Sequence, residues 1–323
     1  MNLASQVEPG ARELLELHVG TLPSGTPIRI RAHVIRAVAP GPTALLLGGV
    51  HGDEINGVEI VRRASCGDLP KRLLAGTIIA IPLLNVFGFL NYAREVPDGK
   101  DVNRSFPGSA TGSLASRVAH VLTQEVLPIV DFVLDFHTGG RSHFNFPQTR
   151  HTAEDERSRV LAEAFGAPVQ LATKTIPKSL RRTAQRLGVP TLVYEGGENL
   201  RLHDPSIHVA LSGIESVMEA QGMIAGARDY GAASLDTSEN MIVLPKSPFK
   251  FESHAWLRAR QSGLFDWLVG SGHAVKKGQT LGYLRDPYGL SETTIKANRD
   301  AFIIGHDNSP VINQGDALFH LAW

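Results

Sequence analysis

The chain holds one cysteine in 323 residues, Cys66. That excludes an intrachain disulfide framework and a zinc site built from several thiolates, so any metal must be held by His, Asp or Glu. A charge excess is also missing: Lys+Arg and Asp+Glu number 32 each, and aromatics make up only 7%. With no basic cluster longer than two or three residues, the sequence offers neither an electrostatic footprint nor a stacking platform for nucleic acid. No apolar run approaches the ~20 residues of a membrane span. The opening "MNLASQVEPGARELLELHVG" has no basic stretch followed by an apolar one. It does not read as a secretory signal, and the expected compartment is the cytoplasm.

What is present is a core. Hydrophobic residues are 42% and charged ones 20% of a chain long enough for one large domain or two ordinary ones. "TALLLGGV", "GTIIAIPLLN", "VDFVLDFHTGG" and "VPTLVYEGGEN" read as buried strands. Between and after them, "NGVEIVRRA", "GSLASRVAHVLTQEVLP", "TAEDERSRVLAEAFGA" (opened by a Thr cap) and "DPSIHVALSGIESVMEAQGMI" read as helices. This alternation predicts an α/β domain over residues 1–235, with an N-terminal strand segment and a twisted, largely parallel but mixed sheet covered by helices on both faces. "DYGAASLDTSEN" reads as a linker. Over 240–323 the helical period vanishes, and short strands with turn signals predict a separate all-β domain. Its "GHAVKKGQTLG" and "VINQGDAL" segments are similar turn–strand units that resemble the barrel-sandwich fold of biotinyl and lipoyl carriers. The carriers' modified lysine is absent from the matching hairpin "RDPYGL", which points to a lid or packing role.

Three apolar strands end at a charged residue beside glycines, at His51, His137 and Glu195. Ligands bind at the carboxyl ends of strands in open α/β sheets, so the three endings can share one pocket. In "GGVHGDE", His51 and Glu54 lie three apart at a strand-to-helix turn, a spacing that lets both face one ion. Taken alone, the pair reads more readily as a strand-end histidine beside a capping glutamate. Asp53 reads as a cap or as a group behind the ligands. His137 is the natural third ligand, and Asp135 on the same strand face can orient a ligand histidine. His51, Glu54 and His137 together make the two-His, one-Glu set of zinc hydrolases. Glu195 is the candidate general base, with Glu198 as its competitor. In the loop "NVFGFLNYAREVPDGKDVNRSFPG", Asn103 and Arg104 suit fork-like recognition of a carboxylate, and Arg94 suits stabilisation of an oxyanion.

Read in order, "GGVHGDE…LLNVFGFLNYAR…DVNRSFPG…LDFHTGG…LVYEGGEN" resembles the succinylglutamate desuccinylase/aspartoacylase family of zinc-carboxypeptidase-like hydrolases. The resemblance implies one Zn²⁺ per subunit on His51, Glu54 and His137, a catalytic Glu195, an oxyanion role for Arg94 and a substrate-carboxylate role for Asn103 and Arg104. It implies a deacylase that cleaves the amide of a small N-acyl amino acid or related amine, with no nucleic-acid or membrane partner. A metallocarboxypeptidase acting on peptides and a non-catalytic binding protein on the same scaffold are the alternatives. Homo-oligomerisation is compatible with the sequence, symmetric association being common among soluble enzymes.

Overall fold

A computed structural model describes residues 3–230 and 247–323. The expected linker and the boundary at 235–240 lie almost wholly outside the described residues. β1 (Arg12–Thr21) and β2 (Pro27–Arg36) form an antiparallel hairpin at one edge of the large sheet. β3 (Ala39–Leu47), β4 (Ala75–Ile81), β5 (Phe132–Gly139), β6 (His143–Thr152), β7 (Val169–Thr173) and β8 (Thr191–Glu198) follow. The order runs β1-β2-β4-β3-β5-β8-β6, with β7 beside the far half of β6. The central pairs β4–β3, β3–β5 and β5–β8 are parallel, whereas β2–β4 and β8–β6 are antiparallel.

The central strands are apolar throughout because both of their faces are covered. Ala44, Leu46, Leu134 and Phe136 pack beneath α1 (Ile55–Cys66), α4 (Glu156–Phe165) and α6 (Asp204–Ala220) through Ile60, Leu161 and Ile214. On the opposite face Leu45, Leu47 and Val133 meet Val118 of α3 (Leu114–Val121) and Leu180 and Ala184 of α5 (Leu180–Arg186). One short helix, α2 (Val86–Leu90), lies within the long loop after β4.

Two helix readings shift. The Thr cap expected for α4 is instead Asp155, whose carboxylate accepts the Arg157 N–H (3.2 Å). Thr152 finishes β6, with its N–H given to Ser158 Oγ (3.2 Å). The helix expected over 112–128 stays α-helical only through Val121, then widens to a π turn over Leu122–Val126 and tightens at Leu127–Ile129. Pro128 has no N–H to continue the ladder.

After residue 246 every described element is a strand: β9 (Phe249–Phe251), β10 (His254–Arg258), β11 (Gly263–Trp267), β12 (Ala274–Val275), β13 (Thr280–Arg285), β14 (Glu292–Lys296), β15 (Ala301–Asp307), β16 (Val311–Ile312) and β17 (Ala317–Ala322). The two similar units become short β12 and β16, each followed by a left-handed glycine (Gly278, φ 87°; Gly315, φ 93°) and a longer strand. β14-β13-β11-β16 form a second sheet, which buries Phe265, Leu281 and Leu284 against Ile303, Phe319 and Leu321. β15, β17 and β10 instead extend the large sheet, because β15 pairs with β6 at Gly305↔Asn145. Among the described residues no helix is long and apolar enough to cross a membrane.

Candidate active site

β3, β5 and β8 are neighbours, so the three polar strand endings lie side by side. β5 carries Phe132, Leu134 and Phe136 into one core and turns Val133, Asp135 and His137 to the other face. His137 is paired in register with Glu195 on β8, which sets the two side chains next to each other on that face. After β3, the turn "GGVHGDE" depends on two glycines. Gly49 has φ 58°, and a Cβ on Gly52 would lie 1.9 Å from the Gly88 carbonyl carbon of α2. Glu54 stands at the N-cap of α1 but does not cap it. Its carboxylate turns instead to the two histidines.

There His51 Nδ1 lies 2.7 Å from Glu54 Oε1, His137 Nδ1 lies 2.7 Å from Glu54 Oε2, and the two Nδ1 atoms are 3.2 Å apart. All three residues are buried and could hold a metal ion. With a proton on each Nδ1 both rings can donate to Glu54, but the two N–H groups then crowd each other at 3.2 Å, whereas a cation between them could take all three groups as donors. The outer nitrogens are held from behind: Asp135 Oδ2 is 2.9 Å from His137 Nε2, and Asp101 Oδ1 is 3.4 Å from His51 Nε2. Such partners fix the tautomer that leaves Nδ1 free to ligate. Burial works against the charged imidazoles, but carboxylates outweigh it. Glu54 and Asp101 raise the His51 pKa, while Asp135 and Glu54 hold His137 well above the usual histidine range. Burial alone would raise the Glu54 pKa, yet the two histidines bring it well below the usual carboxylate range. Metal loading would release the protons these groups otherwise share.

The loop after β4 supplies the next layer. Asn85 caps α2 by accepting the Gly88 N–H (2.8 Å) and holds the Arg94 carbonyl through Nδ2 (3.1 Å). Arg94 Nε and Nη2 donate to Asp101 Oδ2 (3.1 and 2.9 Å), and Nη1 reaches His51 Nδ1 (3.2 Å) and Glu54 Oε1 (3.3 Å). Asp101 Oδ1 also accepts the Asn103 N–H (2.7 Å), so one carboxylate positions both Arg94 and the Asn103–Arg104 pair. Asn103 Oδ1 accepts the Leu180 N–H (2.9 Å) at the start of α5, which leaves Nδ2 to donate into the pocket. Arg104 Nη1 donates to the Asn103 carbonyl (2.7 Å). Glu195 accepts from Asn145 Nδ2 at Oε2 (2.8 Å) and lies 3.3 Å from Arg150 Nη1 at Oε1.

His51, Glu54, Arg94, Asn103, Arg104, His137 and Glu195 all line one cavity of about 530 Å³. Glu198 does not line it, and its Oε2 accepts instead from Asn308 Nδ2 (2.6 Å). Asp53 neither caps α1 nor touches the histidines. Its Oδ2 accepts from Asn199 and its carbonyl from Leu200 (both 2.9 Å), which fastens the turn to the end of β8.

The sequence reading missed Asp101, Arg181 and Trp256. Asp101 was open to inference as the cap two residues before Asn103. Arg181, in the first turn of α5, is buried, lines the cavity and gives Nη2 to Thr173 Oγ1 (2.8 Å) and the Lys174 carbonyl (2.9 Å). Its Nη1 has no hydrogen-bond partner, and burial together with nearby Arg150 lowers its pKa to about 10. Nothing in the sequence marked Trp256, because only the pairing of β10 through β17 and β15 with β6 brings it to the cavity.

A mixed α/β sheet thus gathers at its strand ends two histidines and a glutamate that could hold a metal ion, with the Glu195 carboxylate in register beside them. The chain matches the model of the succinylglutamate desuccinylase/aspartoacylase catalytic domain over residues 40–221, more than half of its length, and it belongs to that family. It is 28% identical to N-alpha-acetyl-L-2,4-diaminobutyric acid deacetylase of Halomonas elongata over 292 residues, covering 87% of this chain and 82% of that protein. Its fold is that of the succinylglutamate desuccinylase/aspartoacylase of Rhodobacter sphaeroides (TM-score 0.85, 24% identity, 98% of this chain and 96% of that one). The product-bound ectoine utilization protein EutE of Ruegeria pomeroyi is similar in fold (TM-score 0.84, 22% identity, with the same coverage of each chain).

Proposed function

We propose that this protein is a zinc-dependent amidohydrolase that removes an acyl group from a small N-acyl amino acid, with an N-acetylated diamino acid among the substrates to try first. The observation that carries the reading is the meeting of His51 Nδ1, His137 Nδ1 and Glu54 beside an in-register Glu195. Two imidazoles and a carboxylate are a zinc donor set, and their 2.7–3.2 Å separations are near the about 3.3 Å that bonds of ~2.0–2.1 Å give along a tetrahedral edge. Zinc held there would supply a Lewis acid and bring the pKa of a water toward neutral.

The chain's own groups do the rest. Glu195, fixed by Asn145 and Arg150, takes a proton from the attacking water and returns it to the leaving nitrogen, so the amide C–N bond breaks as the amine departs. Arg94 has two nitrogens tied to Asp101, and its Nη1, which meets His51 Nδ1 and Glu54 Oε1, would turn to the oxygen that becomes negative as water adds once those two groups hold the metal. Asn103 Nδ2, Arg104 and the unpaired Nη1 of Arg181 hold the carboxylate of the amino acid. Peptide cleavage is the weaker reading, because Trp256 lines the cavity and would stand against an extended peptide. The test is a panel of N-acyl amino acids, N-alpha-acetyl-2,4-diaminobutyrate among them, offered to the zinc-loaded protein and scored by amine release. Cleavage of peptides but of no N-acyl amino acid would sink the proposal.

A further inference from the structure

Two poles flank the ligand atoms. Asn103, Arg104 and Arg181 lie toward α5, where Asn103 bonds the Leu180 N–H. The second begins at Gly140, which lines the same cavity and on which a Cβ would stand 3.9 Å from Arg94 Nη1 and 4.0 Å from Glu54 Oε1. Past it, Arg141 and Ser142 hold left-handed backbone (φ 54° and 63°), which for non-glycine residues is strained and needs surrounding structure to maintain it. The turn places the His143 ring so that Nδ1 is 2.8 Å from the Gly140 carbonyl and Nε2 is 3.1 Å from the Ala317 carbonyl of β17. The edge of His143 meets Trp256 at 4.9 Å between ring centroids, and Trp256 stacks on His320 at 4.3 Å and 14°.

The register explains how a residue so late in the chain reaches the cavity. Asn145, Gly305, His320 and Trp256 are successive partners across β6, β15, β17 and β10, and Asn145 bonds Glu195. Partners in register share a sheet face, so the row continues the floor on which Glu195 stands. Gly305 keeps that row tight, since a Cβ there would lie 2.9 Å from Asn145 Oδ1. Trp256 is half-buried, with one ring face on His320 and the ring against the cavity.

We infer that Trp256 bounds the acyl side of the substrate and sets the length of acyl group that is accepted. The inference rests on the amidohydrolase reading above. If the carboxylate of the amino acid lies at the arginine pole and the scissile amide at Glu195, the acyl chain runs past Gly140 toward Trp256. The indole, held between His320 and His143, presents apolar surface to that chain, and each methylene added against it must displace the ring or leave the pocket.

The test is a series of N-acyl derivatives of one amino acid, from acetyl to hexanoyl, with the wild type, W256A and W256F. The hexanoyl-to-acetyl ratio of kcat/KM should rise roughly tenfold or more in W256A, the scale of one misfit methylene. In W256F it should stay within about threefold of wild type. An unchanged ratio in a W256A protein with a cooperative thermal melt would overturn the inference. Failure of the wild type on every acyl length would sink the amidohydrolase reading instead. The indole assignment would then be judged by tryptophan fluorescence of zinc-loaded wild type minus W256F. Hexanoate should change that difference signal, whereas a change with the free amino acid and none with hexanoate would refute the assignment.

Discussion

At the His51–Glu54–His137 end of the pocket, each ligand side chain has another group within hydrogen-bond or ion-pair reach. Glu54 meets both histidines, Asp135 backs His137, and Asp101 ties Arg94 to the same cluster. At the other end, Arg104 and Arg181 have no ion-pair partner among the described residues, and one nitrogen of Arg181 is buried without a hydrogen-bond partner. Both ends are expensive to build, since desolvated charge is costly unless compensated. The first is complete except for a cation that would replace protons already drawn in. The second has cationic groups that no carboxylate of the described residues pairs, as an anion-binding role would require. Under the proposed function the contrast would give the pocket a direction: metal and chemistry at one end, the anionic part of the substrate at the other.

The contrast can be broken most forcefully at the first end. His137→Ala should reduce amide hydrolysis to background and leave no stoichiometric metal by atomic absorption. A variant that kept both would show that the cluster is structural. Glu195→Gln should separate chemistry from metal binding, with kcat down about 10²–10⁴-fold and zinc content unchanged. At the second end, Arg181→Ala should act mainly on KM, by about 10–100-fold for a carboxylate substrate, the scale of a charged hydrogen bond. An amidated analogue should lose much less. Equal losses on both would mean that Arg181 only supports α5.

An effect on stability rather than on rate sets the pocket against its surroundings. Burial pushes His203 and His306 down to about 4, outside the ligand cluster. The unfolded chain takes up these protons near 6.5 and the folded one only near 4. The stabilisation is therefore complete above 6.5 and is lost as pH falls from 6.5 toward 4, up to about 3 kcal/mol per histidine. His306→Gln should flatten the acid side of a plot of Tm against pH, and an unaltered slope would show that His306 does not titrate with unfolding.

Much of the first end was legible because strand-ending motifs couple local pattern to position. Apolar runs ending in His51, His137 and Glu195 announce both a buried strand and the sheet edge where it stops. The second end was legible only in part. Asn103 and Arg104 stand out as a pair, but Arg181 looks like any basic residue in a helix, and only the fold buries it and brings its guanidinium to Thr173 at the end of β7. Trp256 was illegible, since no local period tells that β15 will pair with β6. The same long-range pairing is why β15, β17 and β10 carry the large sheet onward, while β14, β13, β11 and β16 form the all-β sheet that the turn signals announced.

That shared sheet has a consequence for synthesis. β6 exposes residues 143–145 until β15 pairs with them, and β17 must exist before Trp256 can take its place. The α/β half can collapse as soon as it leaves the ribosome, but its pocket lacks a wall until residues 317–322 are made. In that interval β6 is a bare strand edge, open to pairing with another chain. Completion of the site is thus timed by translation, and a chaperone that shields one strand edge would protect the molecule when it is most exposed to misassembly.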